Sequence, residues 1–223
     1  MQKEKIPIVS NYKLRSVKTK SFKGNRLKKI AFALKGYFPH NYIESQRVII
    51  RHPKRRDWKA WVNLRRESYG FLQKWEPYWS LNQCNKSNYM RQLKLQRTKA
   101  AYDQAYSFLC FEKHNKVLLG GINISNIQRG VIQTCNIGYW LGEKNTGKGY
   151  MQESIKALIP YIYEQLKIHR IQAFTLEDNI PSRKLIEKVN FKKEGVLREA
   201  MQINNEWRDH VIYSLLLEDT KNN

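Results

Sequence analysis

The stretch LGEKNTGKGYMQES, residues 141–154, decides how this chain is read. Gly142 to Lys148 fits the first seven places of a nucleotide-binding P-loop, G-x-x-x-x-G-K, but the eighth place is Gly149. A P-loop needs Ser or Thr there to hold Mg²⁺. It also belongs in a parallel βαβ core, whereas the runs preceding this loop read as an antiparallel meander. ATP is therefore set aside. Gly147 and Gly149 flank a single residue just before an amphipathic run marked by Met151, Ile155, Leu158, Ile159 and Ile162. Backbone N–H groups can converge on an anion there without obstruction by a Cβ. The entering helix adds the partial positive charge of its N-terminus. A pyrophosphate with no catalytic metal of its own suits such a place; a plain flexible helix entry is the alternative.

Outward from the loop, the pattern is α+β. Upstream, SQRVIIR alternates as a strand does, and RRDWKAWVNLRRESY spaces Trp58, Trp61, Val62 and Arg65 as a helix. FLQKWEPYWS is a short aromatic segment, followed by a long polar helix in NKSNYMRQLKLQRTKAAYDQ. The runs AYSFLCFEK, KVLLGGINISNI and VIQTCNIGYWL, joined by turns at His114-Asn115 and Arg129-Gly130, read as three adjacent antiparallel strands. Downstream come the loop's helix, with a kink expected at Pro160, and a strand RIQAFTL. A helix IPSRKLIEKV with Pro181 in its first turn follows. The closing hairpin turns at Asn204-Asn205. Runs of strands interrupted by helices, without strict alternation, exclude a doubly wound sheet.

The 223 residues suit one domain, here residues 41–220, with an extension over residues 1–40. Lys and Arg total 41 against 19 Asp and Glu, a formal net charge of +22, which points to a polyanionic neighbour or to a merely basic protein. The extension carries eleven basic residues and one acid, Glu4, interleaved with Tyr12, Phe22, Phe32, Tyr37 and Phe38. It reads either as a contact for ribosomal RNA, possible through charge and stacking, or as a solvated tail with a short amphipathic helix in NRLKKIAFALKGYF. Cys84, Cys110 and Cys135 have no CxxC spacing and the five histidines are scattered, so no metal site is expected. No uncharged apolar run approaches a membrane span. A cytoplasmic protein with no membrane contact, monomer or dimer, is the expectation.

The motifs resemble those of the GNAT acetyltransferases. Thr146-Gly147-Lys148-Gly149-Tyr150-Met151 is similar to the Gln/Arg-x-x-Gly-x-Gly/Ala loop with which that family binds the coenzyme A pyrophosphate. Thr146 departs from the Gln or Arg, and the central glycine, Gly149, is the one strict match. GKGYMQES, FLQKWEP (71–77), LGGINISNIQRG, NIGYWLG, IHRI and EWRDHV (206–211) look like blocks of its ribosomal-protein-alanine acetyltransferase branch, in order, from Glu44 to Leu217. The resemblance implies a mixed, mostly antiparallel sheet flanked by helices, acetyl-CoA as cosubstrate and no metal. It implies transfer of an acetyl group to the N-terminal α-amino group of a protein, foremost an alanine of a small-subunit ribosomal protein. A small-molecule amine as acceptor, or a non-catalytic ribosome-assembly or RNA-binding factor on the same fold, are the alternatives.

The resemblance also implies site residues. Tyr139, Trp140 and Leu141 would end a strand that splays from its neighbour and exposes amides to the pantetheine and the acetyl oxygen. Thr146, Gly147, Lys148, Gly149 and Met151 would form the pyrophosphate loop. Asn179 and Ser182 look like the family's Asn-x-x-Ser element, the Asn against the cofactor arm and the Ser as the acid that protonates the thiolate. Asn179 also reads as a helix N-cap. For the base, the family's Glu falls on Met201, leaving Glu199, expected on the same strand face, and Glu76 as candidates. Both are equally readable as surface or ion-paired carboxylates. Trp75, Trp79, Trp140 and Trp207 are groove candidates, one or two at most. Cys135 reads as packing, since nothing near it activates a thiol.

Overall fold

The computed structural model describes residues 42–220; the extension and its amphipathic segment lie outside the described residues. Eight strands form one sheet in the order β1-β2-β3-β4-β5-β6-β8-β7. They are β1 (Ile43–Glu44), β2 (Val48–Arg51), β3 (Tyr106–Glu112), β4 (Leu118–Gln128), β5 (Thr134–Leu141), β6 (Arg170–Leu176), β7 (Lys192–Ile203) and β8 (Glu206–Leu216). Every neighbouring pair is antiparallel except β5 with β6. The helices are α1 (Trp58–Glu67), the single turn α2 (Tyr69–Leu72), α3 (Lys86–Ala101), α4 (Tyr150–Glu164) and α5 (Ile180–Lys188). The α+β reading and the meander β3-β4-β5 agree with this arrangement.

The sheet is covered on both faces, which is why β3 reads as a nearly continuous apolar run. On one face Tyr106, Phe108, Cys110, Ile122, Ile124 and Ile137 join the apolar side of α4 in the larger core. On the other, Leu109, Phe111 and Leu118 pack with Trp61 and Val62 of α1 and Tyr89 and Leu93 of α3. Helix α3 buries little because Tyr89 and Leu93 are its only fully buried side chains. Asn85 caps it by accepting a 2.9 Å bond from the Asn88 N–H.

Pro160 lies inside α4 and does not end it. The intrahelical acceptor it leaves unbonded is the carbonyl of Lys156, an exposed residue that water can reach. The closing turn has Asn204 at φ 47° and Asn205 at φ 69°, the left-handed pair that a two-residue hairpin requires. One expectation fails. Between Leu197 and Met201 the β7–β8 register slips, and Glu199 sits in the slip at φ 45° with its N–H bonded to Asp209 Oδ1 at 2.8 Å. Alternation along a strand holds only for regular pleating, so Glu199 does not share the face of Met201 by simple counting.

Beneath the sheet's larger core, His52 lies against the Phe108 ring at 4.5 Å, its Nδ1 2.8 Å from the Ser107 carbonyl oxygen. Burial lowers its pKa from 6.5 to about 4, and the bond to Ser107 only partly opposes this. Because the folded value lies below the unfolded one, the unfolded chain binds the extra proton. Stability is then complete above about pH 6.5 and declines as pH falls towards 4. Urea unfolding should show about 2 kcal/mol lost between pH 7.5 and pH 5. His52→Phe should flatten that slope; an unchanged slope refutes the assignment.

Candidate active site

The single parallel pair governs the site. β5 and β6 are joined only from Thr134↔Arg170 to Ile137↔Ala173. Beyond that point Gly138–Leu141 stays with β4, through Asn123↔Gly138 to Gly120↔Leu141. Phe174 to Leu176 stay with β8, opposite Ile212, Val211 and His210. The sheet therefore opens between the last residues of β5 and β6, and among the described residues no strand pairs with the β5 edge facing the gap. Gly138 begins the opening, with no atom within 4 Å of where its Cβ would stand.

On the α4–α5 face, Tyr139 reaches Ser182. The two hydroxyl oxygens lie 2.7 Å apart, and the phenol also donates to the Ser182 carbonyl at 3.3 Å. Burial pushes the Tyr139 phenol above its ordinary pKa, so it keeps its proton. Ser182 stands in the first turn of α5 because Asn179 caps that helix, accepting the Ser182 N–H at 3.2 Å. The capping reading of Asn179 is thus realised, and the cap itself sets the serine beside β5.

The glycine loop sits at the entry to α4. Gly147 and Gly149 adopt φ 72° and 79°, the left-handed region that costs other residues energy. Thr146 spends its hydroxyl on the Glu143 carbonyl at 2.8 Å, and Met151 is a core side chain, leaving its backbone to the loop. Lys148 is exposed. Two residues outside the motif hold this shape. Glu153 Oε1 accepts the Arg47 N–H at 2.6 Å and the Ser45 hydroxyl at 2.7 Å, while Oε2 accepts Arg47 Nε at 2.8 Å. Arg47 Nη1 donates to the Lys148 carbonyl at 3.1 Å, and its guanidinium lies 4.9 Å from the Tyr150 ring centre. Partial burial works against the Glu153 charge, but these donors together hold its carboxyl below the usual range.

On the opposite face, a cavity of about 330 Å³ adjoins β5. Its walls include Trp61, Arg65, Glu76, Trp79, Asn123 and Trp140. The Arg65 guanidinium lies 4.4, 5.0 and 5.5 Å from the ring centres of Trp79, Trp140 and Trp61. Glu76 grips it with both oxygens, at 3.2 and 2.5 Å, and also accepts Trp79 Nε1 at 2.8 Å. Gly121 makes room for the Trp140 indole, since a Cβ there would stand 2.8 Å from its Nε1.

The sequence candidates sort accordingly. Glu76 is in the cavity wall, but its carboxylate is committed to Arg65 and Trp79, which makes it a positioning group. Glu199 is exposed in the β7 irregularity and outside the cavity lining. Of the groove tryptophans, Trp79 and Trp140 line the cavity; Trp75 and Trp207 do not, and Trp207 is 62% exposed. Leu141 packs against the larger core. Cys135 is buried, its thiol pushed up to about 12 by burial, in keeping with packing. The sequence reading missed Arg47 and Glu153, and it passed over Trp61 and Arg65 as groove residues although their i, i+4 spacing places them on one helix face. It also missed Asn136, whose buried Oδ1 has no hydrogen-bond partner among the described residues. Asn136 precedes Gly138 and Trp140 on the same side of β5.

The comparisons with known proteins fit this geometry. The model of the acetyltransferase (GNAT) domain family matches residues 47–192. A ribosomal protein uS5-alanine N-acetyltransferase of Escherichia coli is 31% identical over 188 residues, covering 84% of this chain and 97% of that protein. Among solved structures, the ribosomal-protein-S5-alanine acetyltransferase of Vibrio fischeri superimposes with a TM-score of 0.74 at 25% identity, over 80% of this chain and 97% of that one. Mycobacterium smegmatis RimJ in complex with CoA-disulfide gives 0.73 at 24% identity, over 77% and 83%, a likeness of fold. The chain belongs to the GNAT acetyltransferase family. It is an N-acetyltransferase by that membership.

Removing the carboxylate that clamps the glycine loop should loosen it selectively. Glu153→Gln is expected to raise amide hydrogen exchange at residues 154–155, whose N–H groups close the first turn of α4, at least fivefold (about 1 kcal/mol of local stability) while the centre of α4 stays protected. Uniform exchange along α4 in both proteins contradicts the clamp.

Proposed function

We propose that this protein transfers the acetyl group of acetyl-coenzyme A to the α-amino group of a protein N-terminus, with an N-terminal alanine of a small-subunit ribosomal protein as acceptor. One observation carries the reading: β5 is open at a point bounded by the Ser182–Tyr139 pair on one face and by a Trp-lined cavity on the other. A thioester beside that open edge is accessible from the cavity. The alanine specificity in the names of the Escherichia coli and Vibrio fischeri relatives supports the acceptor.

The residues present suit the cofactor. The left-handed glycines and the start of α4 offer main-chain donors to a diphosphate, and the space beside Gly147 is clear of other atoms. Strand β5, through Tyr139, Trp140 and Leu141, offers main-chain groups to the pantetheine and to the acetyl oxygen as negative charge develops there. The amine nitrogen forms a bond to the carbonyl carbon and the carbon–sulfur bond breaks. Ser182 Oγ–H then gives the departing thiolate its proton and is reprotonated, through water, by the proton that the amine nitrogen releases. Tyr139 positions that hydroxyl.

No strong base is needed. An α-amine has a pKa of about 7.7–8.0 against about 10.4 for Lys, so roughly a tenth of it is neutral near pH 7. With Glu76 engaged, a water relay accepting the second proton suffices. The Arg65–Glu76 pair holds the tryptophan walls in place around the acceptor. We also propose that residues 41–220 form the catalytic domain and that residues 1–40 add a contact with ribosomal RNA. Their eleven cations support that contact.

Ser182→Ala should lower kcat on an N-terminal alanine peptide by about tenfold to a hundredfold with coenzyme A affinity within twofold; equal turnover removes the serine from the reaction. Gly149→Asp should weaken coenzyme A at least tenfold more than Gly149→Asn, because both residues tolerate left-handed backbone comparably and only Asp adds charge. Equal losses in the two variants remove the loop assignment. An N-terminal acetylation survey of ribosomal proteins, with and without the enzyme, identifies the acceptor. No change in that survey refutes the ribosomal reading.

A further inference from the structure

The cations of the folded domain are not evenly spread. Residues 54–59 lead into α1, and Lys86 opens α3. Around them, six exposed cations (Lys54, Arg55, Arg56, Lys59, Lys86 and Arg97) share one surface. Three contacts bring them together. Lys59 Nζ and Lys86 Nζ lie 5.8 and 5.2 Å from the centre of the same Trp58 ring, one from each helix. The Tyr89 hydroxyl of α3 donates to the Lys54 carbonyl at 2.8 Å. Arg97, two turns further along, is close enough to that phenol to act on its ionisation.

Among the described residues, no ion pair joins any of these six side chains to an acid. Asp57, the acid in their midst, is buried and taken up by Arg51 through two 2.7 Å bonds. Burial first, and then the neighbouring charges of Arg51 and Arg56, lower the pKa of Lys54, and Asp57 only partly opposes them. Their placement also opposes helix stability. Helices favour acids in the first turn and cations in the last. Here α3 opens on Lys86 with no acid in its first turn, and the one acid at the entrance of α1, its N-cap Asp57, is already engaged by Arg51 while Lys54, Arg55, Arg56 and Lys59 surround it. An external anion would relieve the repulsion and receive the positive ends of two helices as well.

We propose that this surface, centred on Trp58, binds the phosphate backbone of structured RNA. Several phosphates spaced along a duplex match five cations at two helix entrances and a sixth, Arg97, further along α3 better than one small anion does. An anionic membrane is the poorer partner, because no large apolar side chain of residues 54–59 or of the first two turns of α3 is exposed for insertion. Tyr89 and Asn88 of α3 also line the cavity. RNA held here therefore lies beside the cavity mouth, where a protein N-terminus emerging from a ribonucleoprotein would be presented. The binding itself does not depend on the acetyl-transfer reading.

The test uses the full chain and a mixed-sequence RNA duplex of about 20 base pairs, with affinity measured across salt concentrations. The triple variant Arg55→Glu/Arg56→Glu/Lys59→Glu should bind at least tenfold more weakly near 150 mM salt, with a log–log salt slope lower by about two to three. A control with the same change in net charge, Lys156→Glu/Lys167→Glu/Lys184→Glu, should lose about threefold or less. The milder pair Lys59→Gln/Lys86→Gln, which leaves the fold's buried groups untouched, should lose about threefold to tenfold. Equal losses in the triple variant and its control reduce the surface to general charge and overturn the proposal. So does unchanged RNA binding in the milder pair, or a loss confined to phosphatidylglycerol vesicles or polyglutamate.

Discussion

The parting of β5 from β6 after Ile137 and Ala173 is the constraint on which the rest depends. Two parallel strands that remained paired to their ends would bury their main-chain groups in a ladder and leave no opening in the sheet. Here each strand turns to its other neighbour, β5 to β4 and β6 to β8, so the ladder stops without orphaning the outer edges. The main chain facing the gap is then free to bind something else. Burial of both sheet faces by helices makes the opening a cleft rather than a fraying edge.

What surrounds the gap is held by side chains that do no chemistry. Arg47 and Glu153 clamp the glycine loop from the β1–β2 turn and α4, and Arg65 and Glu76 lock three indole rings into the cavity wall. Both are charge-assisted pairs in partly buried settings, where geometry is better defined than at a free surface. A carboxylate with every oxygen engaged is a poor proton acceptor, which is why the acids nearest the site serve as anchors. The substrate compensates through its own chemistry, an amine whose pKa lies within about one unit of physiological pH.

The charge of the protein has a comparable division of labour. Cations paired with acids sit where the fold needs them, as Arg51 does with buried Asp57. Those around Trp58 have no ion pair among the described residues, and all but Arg97 stand at helix entrances that disfavour cations. Positions that cost the fold stability and return nothing within it are the ones to connect with a partner outside it.

The residue pattern by itself determined the meander, the amphipathic α4, the left-handed glycines before it and the Asn-Asn hairpin. Each of these is local: periodicity, a turn requirement or a cap fixes it within a few residues. The Asn179–Ser182 cap was legible for the same reason. Tertiary structure alone decided which strand faces which. Contacts between Arg47 and Glu153, or between Tyr139 and Ser182, span 106 and 43 positions and leave no spacing signal. It alone also disarmed Glu76 and moved Glu199 out of register. A carboxylate's partners and a strand's irregularities are set by packing against distant chain, which no local pattern records.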